Sequence, residues 1–177
     1  AEEAIIARDV LLAEHVDSRL HICHLTTAGG VDIVRAAKKR GVKVTAEVTP
    51  HHLILTDDVV ESYDPVFKVN PPLRTSDDVM ALRQGLADGT IDIVATDHAP
   101  HAQEAKDCEW SAAAFGMLGL ETAFSVVYLT MVKSGLMSLE TLSSRMSSTP
   151  AQIGRYEEHG AIAVGKPANL VIIDLAA

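Results

Sequence analysis

IVATDHAPH, residues 93–101, ends an apolar run abruptly with an acid and two closely spaced histidines. The residues before Asp97 are apolar enough for a buried strand, so this carboxylate stands where that strand ends. A carboxylate at a buried strand end is costly unless it is paired or bound to a metal. The next basic residue ahead is Lys106, which is not a local partner. Asp97 is therefore either a solvated loop residue or a residue facing a cation supplied from elsewhere.

Two earlier segments are also predicted to be strands, and polar side chains follow the end of each one. RLHICHL, residues 19–25, carries His24 near its end, and VKVTAEVTP, residues 42–50, leads into His51 and His52. Helical patterns separate the three strands, an order typical of an α/β fold with a parallel sheet and right-handed crossovers. An open doubly wound sheet and a closed barrel both fit this order.

The positions of the polar residues favour the barrel. No G-x-G-x-x-G fingerprint or phosphate-binding loop is present, whereas active sites of (β/α)8 TIM barrels lie at the carboxyl ends of their strands. Three strands cannot close a barrel that needs eight strands and about 250 residues. We therefore expect residues 1–159 to be part of a barrel belonging to a longer protein. Residues 160–177 hold two short apolar runs around a turn, and they predict strands of a second, β-rich domain.

Composition excludes several classes of function. A hydrophobic share of 47% and a charged share of 22% are typical of a soluble globular protein. The net charge of −9 argues against binding to nucleic acid or to an anionic membrane surface. Cys23 and Cys108 form no C-x-x-C pair, which argues against a zinc knuckle and favours a reducing, cytoplasmic compartment.

His24 and Asp97 are the candidate metal ligands. Successive strand side chains point to opposite faces, so His21 and His24 cannot both reach one metal from an extended chain. His24 lies nearer the strand's carboxyl end and is the preferred ligand, although a buried, hydrogen-bonded imidazole is the alternative. One imidazole and one carboxylate from different strands suit a catalytic zinc, which keeps a position open for water.

Other polar residues near the strand ends are less specific. Asn70 precedes two prolines, which suits rigid presentation of an amide to a ligand but also an ordinary turn. His51 and His52 are interpreted either as functional residues or as polar loop residues that shape the rim. Residues 102–112 form a polar stretch directly after the candidate site, and we expect a mobile lid there.

Five linked motifs resemble one known family. HICHLTT, VTAEVTPHHL, VNPPLR, IVATDHAPH and AFGMLGLETAF occur in the order and at the intervals found in bacterial dihydroorotases of the amidohydrolase superfamily. GAIAVGKPANLVIID, near the carboxyl end, resembles the strand with which that superfamily returns to its small β-sandwich. The resemblance covers essentially the whole chain. It implies barrel strands six to eight followed by the start of the sandwich.

The resemblance also implies roles for individual residues. His24 and Asp97 match zinc ligands of the family, and Asp97 matches the residue that shuttles the proton. Substrate contacts of the family fall on Asn70, His101 and the Phe115–Gly116 pair. The centre would hold one or two zinc ions, and the family's remaining ligands lie ahead of the first residue here.

The implied activity, for the longer protein, is the interconversion of N-carbamoyl-L-aspartate and (S)-dihydroorotate in pyrimidine biosynthesis. Without the ligands that lie ahead of its first residue, this chain alone is expected to be inactive. A hydantoinase or dihydropyrimidinase is one alternative, since those relatives share the fold and the metal. A non-catalytic homologue that serves as a scaffold for aspartate transcarbamoylase is another. A homodimer, possibly joined by that transcarbamoylase, is the expected assembly.

Overall fold

A computed structural model describes residues 1–175, and its centre is a parallel three-stranded sheet in the order β1-β2-β3. The strands are β1 (Leu20–Ile22), β2 (Val44–Val48) and β3 (Ile93–Val94). Leu20 pairs with Val44, and Glu47 pairs with Ile93, so the carboxyl ends of all three strands lie at one edge. The predicted α/β class and strand order are confirmed.

Helices fill the connections between and after the strands. The α-helices are α1 (Glu2–His15), α2 (Ala28–Lys39), α3 (Ser76–Asp88), α4 (Gln103–Lys106), α5 (Ala123–Val127), α6 (Leu139–Ser143) and α7 (Thr149–Ile153). Two π-helical segments, Tyr128–Val132 and Ser144–Ser148, extend α5 and join α6 to α7. Three 3₁₀ turns, His51–Leu53, Asp57–Ser62 and Pro65–Phe67, lie between β2 and α3.

Capping residues mark the ends of the two crossover helices, α2 and α3. The hydroxyl of Thr27 accepts a hydrogen bond from the amide of Gly30 at 3.1 Å, which caps α2. The hydroxyl of Thr75 caps α3 in the same way, and Gly89, with a φ of 85°, ends that helix.

The two faces of β2 carry different chemistry. Val44, Ala46 and Val48 are 4%, 0% and 0% exposed and pack into the apolar core with side chains of α2 and α3. Because side chains alternate along a strand, Thr45 and Glu47 lie on the opposite face. His21 pairs with Thr45 in the β1–β2 register and shares that polar face. The core therefore fixes which residues face the candidate site.

Most residues of the carboxyl-terminal segment, 160–175, are exposed rather than packed into the core. Within residues 160–175 the structure assigns no strand, and Val164 and Ile172 are almost fully exposed. The predicted sandwich strand of residues 160–177 and the numbering of the barrel strands stay predictions, and residues 176–177 lie outside the described residues.

Among residues 1–175, no helix has the length and apolar character needed to cross a membrane.

Candidate functional site

His24 and Asp97 meet at the carboxyl edge of the sheet. Nε2 of His24 lies 3.6 Å from Oδ1 of Asp97, and the two side chains are 26% and 32% exposed. Both residues adopt a positive φ, 52° for His24 and 46° for Asp97, which non-glycine residues rarely do. Such strain persists where the surrounding structure requires one side-chain direction, and it is common at functional sites. The turns after β1 and β3 thus direct an imidazole and a carboxylate toward each other.

A buried acid, Glu47, lies behind this pair. Its side chain points from β2 toward His24, and Oε1 is 2.8 Å from Nδ1 of His24. Nδ1 has no hydrogen-bond partner of acceptable angle, so the contact is a close ion pair rather than a directed hydrogen bond. Glu47 leaves Nε2 of the imidazole, the nitrogen nearer Asp97, available to a ligand.

The second oxygen of Glu47 engages His21. Oε2 is 2.9 Å from Nε2 of His21, whose Nδ1 is 2.8 Å from the hydroxyl of Thr45. His21 therefore pairs elsewhere, as the spacing to His24 predicted, and both of its nitrogens are occupied.

Electrostatics keep Glu47 ionised. Burial alone raises the pKa of Glu47, but the hydrogen bond from His21 and the contact with His24 outweigh it and lower the pKa to about 2. The same contact with Glu47 raises the pKa of His24, while burial opposes the shift and Asp97 adds to it. The negative charge of Glu47 therefore stabilises a positive charge at this place, either a proton on His24 or a cation bound beside it.

The residues present fit a metal. Two zinc ligands at about 2.1 Å in tetrahedral geometry have donor atoms about 3.4 Å apart, close to the 3.6 Å between Nε2 of His24 and Oδ1 of Asp97. A ligand imidazole usually has its other nitrogen against a carboxylate or carbonyl, the position that Glu47 occupies.

A second group of possible ligands lies on the same face. Donor atoms of His21, Cys23 and Glu47 lie within 4.8 Å of one another. Burial and the charge of Glu47 raise the pKa of Cys23, which disfavours the thiolate that metals bind. Because both nitrogens of His21 are also hydrogen-bonded, we favour His24 and Asp97 as the ligands.

His101 and the Phe115–Gly116 pair form a second cluster. Nε2 of His101 is 2.7 Å from the carbonyl oxygen of Phe115. Gly116 has a φ of 126°, and a Cβ there would lie 2.6 Å from Cβ of Ala99. Only glycine allows this close approach of the two segments without strain. The amide of Gly116 donates to the carbonyl of Lys68 at 2.9 Å.

Asn70 lies two residues after Lys68 and is exposed. This short stretch of chain brings Asn70 near the Phe115–Gly116 pair, to which Lys68 is hydrogen-bonded through its carbonyl. His52 holds the following residue, since Nε2 of His52 is 3.1 Å from the carbonyl of Pro71. The other nitrogen of His52 is 2.6 Å from the hydroxyl of Thr49.

The structure buries His51 and His52, which the interpretation as polar loop residues shaping the rim did not predict. They are 6% and 2% exposed, because the 3₁₀ turn after β2 directs both rings inward. Burial lowers the pKa of His51 to about 3 and that of His52 to about 4, so both rings are neutral near pH 7. His52 is a buried support of the loop that carries Asn70.

His98 has a structural contact. Its Nδ1 accepts hydrogen bonds from the amides of Gly119 and Leu120, both at 3.1 Å. The ring thereby holds the segment that follows Gly116 against the end of β3.

Sequence reasoning missed Glu47 as part of the site. The alternation of VTAEV offered a signal, because it places an acid at a position enclosed by apolar neighbours, where a partner is required.

Comparison with known proteins agrees with this geometry. The model of the Amidohydrolase family matches residues 3–177. The chain therefore belongs to the amidohydrolase family. It is 68% identical over 177 residues to a dihydroorotase of Streptomyces coelicolor and 55% identical over 175 residues to one of Mycobacterium tuberculosis. Those alignments cover 99% and 98% of this chain but only 41% of each relative, so the chain spans about two fifths of their length.

Solved structures of related enzymes share the fold. An L-hydantoinase (dihydropyrimidinase) from Arthrobacter aurescens superposes with a TM-score of 0.86 and 34% identity, covering 94% of this chain and 38% of that one. A D-hydantoinase from a Bacillus species superposes with a TM-score of 0.89 and 26% identity, covering 95% and 39%. The described fold is therefore an arrangement that also occurs within these two hydantoinase structures.

Proposed function

We propose that this chain is the carboxyl-terminal part of a dihydroorotase, which interconverts N-carbamoyl-L-aspartate and (S)-dihydroorotate, and that it supplies some of the metal ligands of that enzyme. The observation that carries the proposal is the approach of His24 to Asp97 with Glu47 behind the imidazole. The identity of 50–68% to dihydroorotases over almost the whole chain supports the choice of substrate.

His24 and Asp97 would hold zinc, as one or two ions, together with ligands from outside this chain. A zinc ion bound there would supply Lewis-acid polarisation and would lower the pKa of a water molecule toward neutrality. In the hydrolytic direction, Asp97 accepts the proton of the attacking water and delivers it to the ring nitrogen as the amide C–N bond breaks. Ring closure uses the same carboxylate in reverse. Glu47 keeps the His24 ring oriented throughout.

The second cluster would bind the substrate ring. Asn70 and His101 present side-chain hydrogen-bonding groups, and Phe115–Gly116 adds backbone groups beside them. Because His101 is held through the carbonyl of Phe115 at 2.7 Å, its ring is already oriented before a ligand arrives.

The decisive test replaces Asp97 in the full-length polypeptide. We expect Asp97→Asn to lower kcat for dihydroorotate by about 10²–10⁴-fold, the usual contribution of a general acid–base group. Asp77→Asn, at an exposed position of α3, is the matched control. Circular dichroism establishes that both variants fold. Full activity in a folded Asp97→Asn variant would end the proposal.

A hydantoinase or dihydropyrimidinase is the second candidate. It is favoured by the TM-score of 0.86 and 34% identity to the Arthrobacter aurescens enzyme. Rates with dihydroorotate, dihydrouracil and hydantoin, measured on one preparation, separate the candidates. Turnover of dihydrouracil or hydantoin but not of dihydroorotate would favour this second function.

The remaining expectations concern assembly and location. A cytoplasmic homodimer, possibly associated with aspartate transcarbamoylase, stays a prediction. The non-catalytic scaffold is the third candidate, and the presence of both His24 and Asp97 argues against it. Zinc content without turnover of any cyclic amide, together with co-migration with the transcarbamoylase, would support the scaffold.

A further inference from the structure

Lys68 is a buried lysine whose contacts are unlike those of a surface ion pair. Its side chain is 7% exposed, and the described residues give it no carboxylate within ion-pairing distance. An ammonium group has three donors, and each one requires an acceptor when it is removed from water. The Nζ atom has backbone carbonyl acceptors in Trp110 at 2.6 Å, Ser111 at 3.3 Å and Ala113 at 2.6 Å.

Lys106 makes the reverse connection. It lies on the segment that Lys68 contacts, and its own Nζ reaches back toward the segment that carries Lys68. The acceptors are the carbonyls of Pro65 at 3.0 Å, Lys68 at 3.3 Å and Ala114 at 2.9 Å. Each lysine thus uses three backbone acceptors, and the two segments, residues 64–69 and residues 105–116, are joined from both sides.

The acceptors of both lysines are backbone carbonyls, and this makes the connection between the two segments rigid. A carboxylate partner could move with its own side chain, whereas a carbonyl is fixed to the path of the main chain. Loss of either ammonium leaves three backbone carbonyls, most of them partly buried, without that donor. The two lysines therefore fix the relative position of two loops rather than neutralise a charge.

The same connection reaches the predicted substrate contacts. The carbonyl of Lys68 accepts the amide hydrogen of Gly116 at 2.9 Å, and Nζ of Lys68 lies 4.5 Å from the centre of the Phe115 ring. Asn70 follows Lys68 by two residues, a span of at most about 7 Å. Lys68 therefore stands between the two groups that would face the substrate.

We propose that Lys68 is a positioning residue, which sets the distance between Asn70 and the Phe115–Gly116 pair and so determines affinity for the substrate ring. This inference rests on the proposed function, since it takes those three residues as substrate contacts. Lys106 acts with it from the opposite loop. Neither lysine touches the reacting atoms.

The test is made on the zinc-loaded, full-length polypeptide with Lys68→Met, which keeps most of the unbranched apolar stem and removes the ammonium donors. We expect amide hydrogen exchange of residues 110–116 to accelerate and KM for dihydroorotate to rise about tenfold, with kcat changed less than about threefold. Zinc content should equal that of the parent. Lys43→Met, which removes an exposed ion pair with Asp17, is the matched control and should change none of these quantities.

Two further variants guard against a simple folding defect. Lys106→Met removes the reverse connection at a less buried position, and it should accelerate exchange in the same residues. Lys68→Arg retains donors and charge, and it should restore part of the lost affinity. Parent-like exchange in both Met variants, or faster exchange with an unchanged KM, would overturn the inference. If the parent itself does not act on dihydroorotate, the proposed function fails, and the exchange experiment still decides whether the lysines hold the loops.

Discussion

Glu47 shows how one buried side chain can hold two histidines at a candidate metal site. Its two oxygens contact different histidines, His24 at 2.8 Å and His21 at 2.9 Å. A carboxylate behind a ligand imidazole fixes the ring and raises its basicity. At 7% exposure, Glu47 has no water to replace these partners. Its position on β2 therefore orients both rings.

Replacing Glu47 tests this role directly. We expect Glu47→Gln to weaken zinc binding by about 10–100-fold, because the neutral amide no longer supports the positive charge near His24. Competition with a chromophoric chelator measures the affinity, and Glu61→Gln, at an exposed position, is the control. Affinity equal to that of the parent would show that Glu47 serves only the packing of β2.

At the scale of elements, the turns after the strands do the positioning. His24 and Asp97, in the turns after β1 and β3, adopt positive φ angles, while Gly116 allows a third segment to approach the end of β3. Residues 102–112, expected to form a mobile lid, include the short helix α4 and are attached to residues 64–69 through Lys68 and Lys106. Their motion stays a prediction that the exchange experiment addresses.

Gly116 and Gly41 provide a matched pair for testing the approach of these segments. Both have a positive φ, 126° and 84°, but a Cβ on Gly116 meets Ala99 at 2.6 Å whereas one on Gly41 meets nothing within 4 Å. Gly41→Ala should therefore cost only the backbone strain, about 1–2 kcal/mol.

Gly116→Ala should cost more stability than Gly41→Ala and should also raise KM for dihydroorotate, because Ala99 and His101 must shift. Urea unfolding and steady-state kinetics on the two variants measure both effects. Equal losses of stability with an unchanged KM would mean that the close contact is not required for binding.

At the scale of the whole molecule, the buried imidazoles make stability depend on pH. Burial lowers the pKa of His52 from 6.5 to about 4, although its contacts with backbone carbonyls oppose this shift. The unfolded chain therefore binds the proton more tightly than the folded chain does. The contribution is complete above pH 6.5 and is lost as the pH falls from 6.5 toward 4.

For His52 alone, the expected loss between pH 7.5 and pH 5 is about 2 kcal/mol in free energy of unfolding. Urea unfolding of the full-length polypeptide at the two pH values measures it. His52→Asn should be less stable at pH 7.5 but should lose less on acidification, whereas His15→Gln, at an exposed position, should behave as the parent does. An identical pH dependence in His52→Asn and the parent would contradict the assignment.

Local patterns were sufficient to predict the order of helices and strands, the parallel sheet, and the placement of His24 and Asp97 at strand ends. Alternation, capping residues and helix-ending glycines act within a few positions of the chain, so the sequence alone reveals them. The burial of His51 and His52 was missed, because the 3₁₀ turn that directs them inward has no comparable signal. The contacts of Glu47 with two histidines, and of Lys68 with the 110–113 backbone, arise only when distant segments pack together. Those contacts are tertiary because each joins groups that are more than 20 residues apart in the chain.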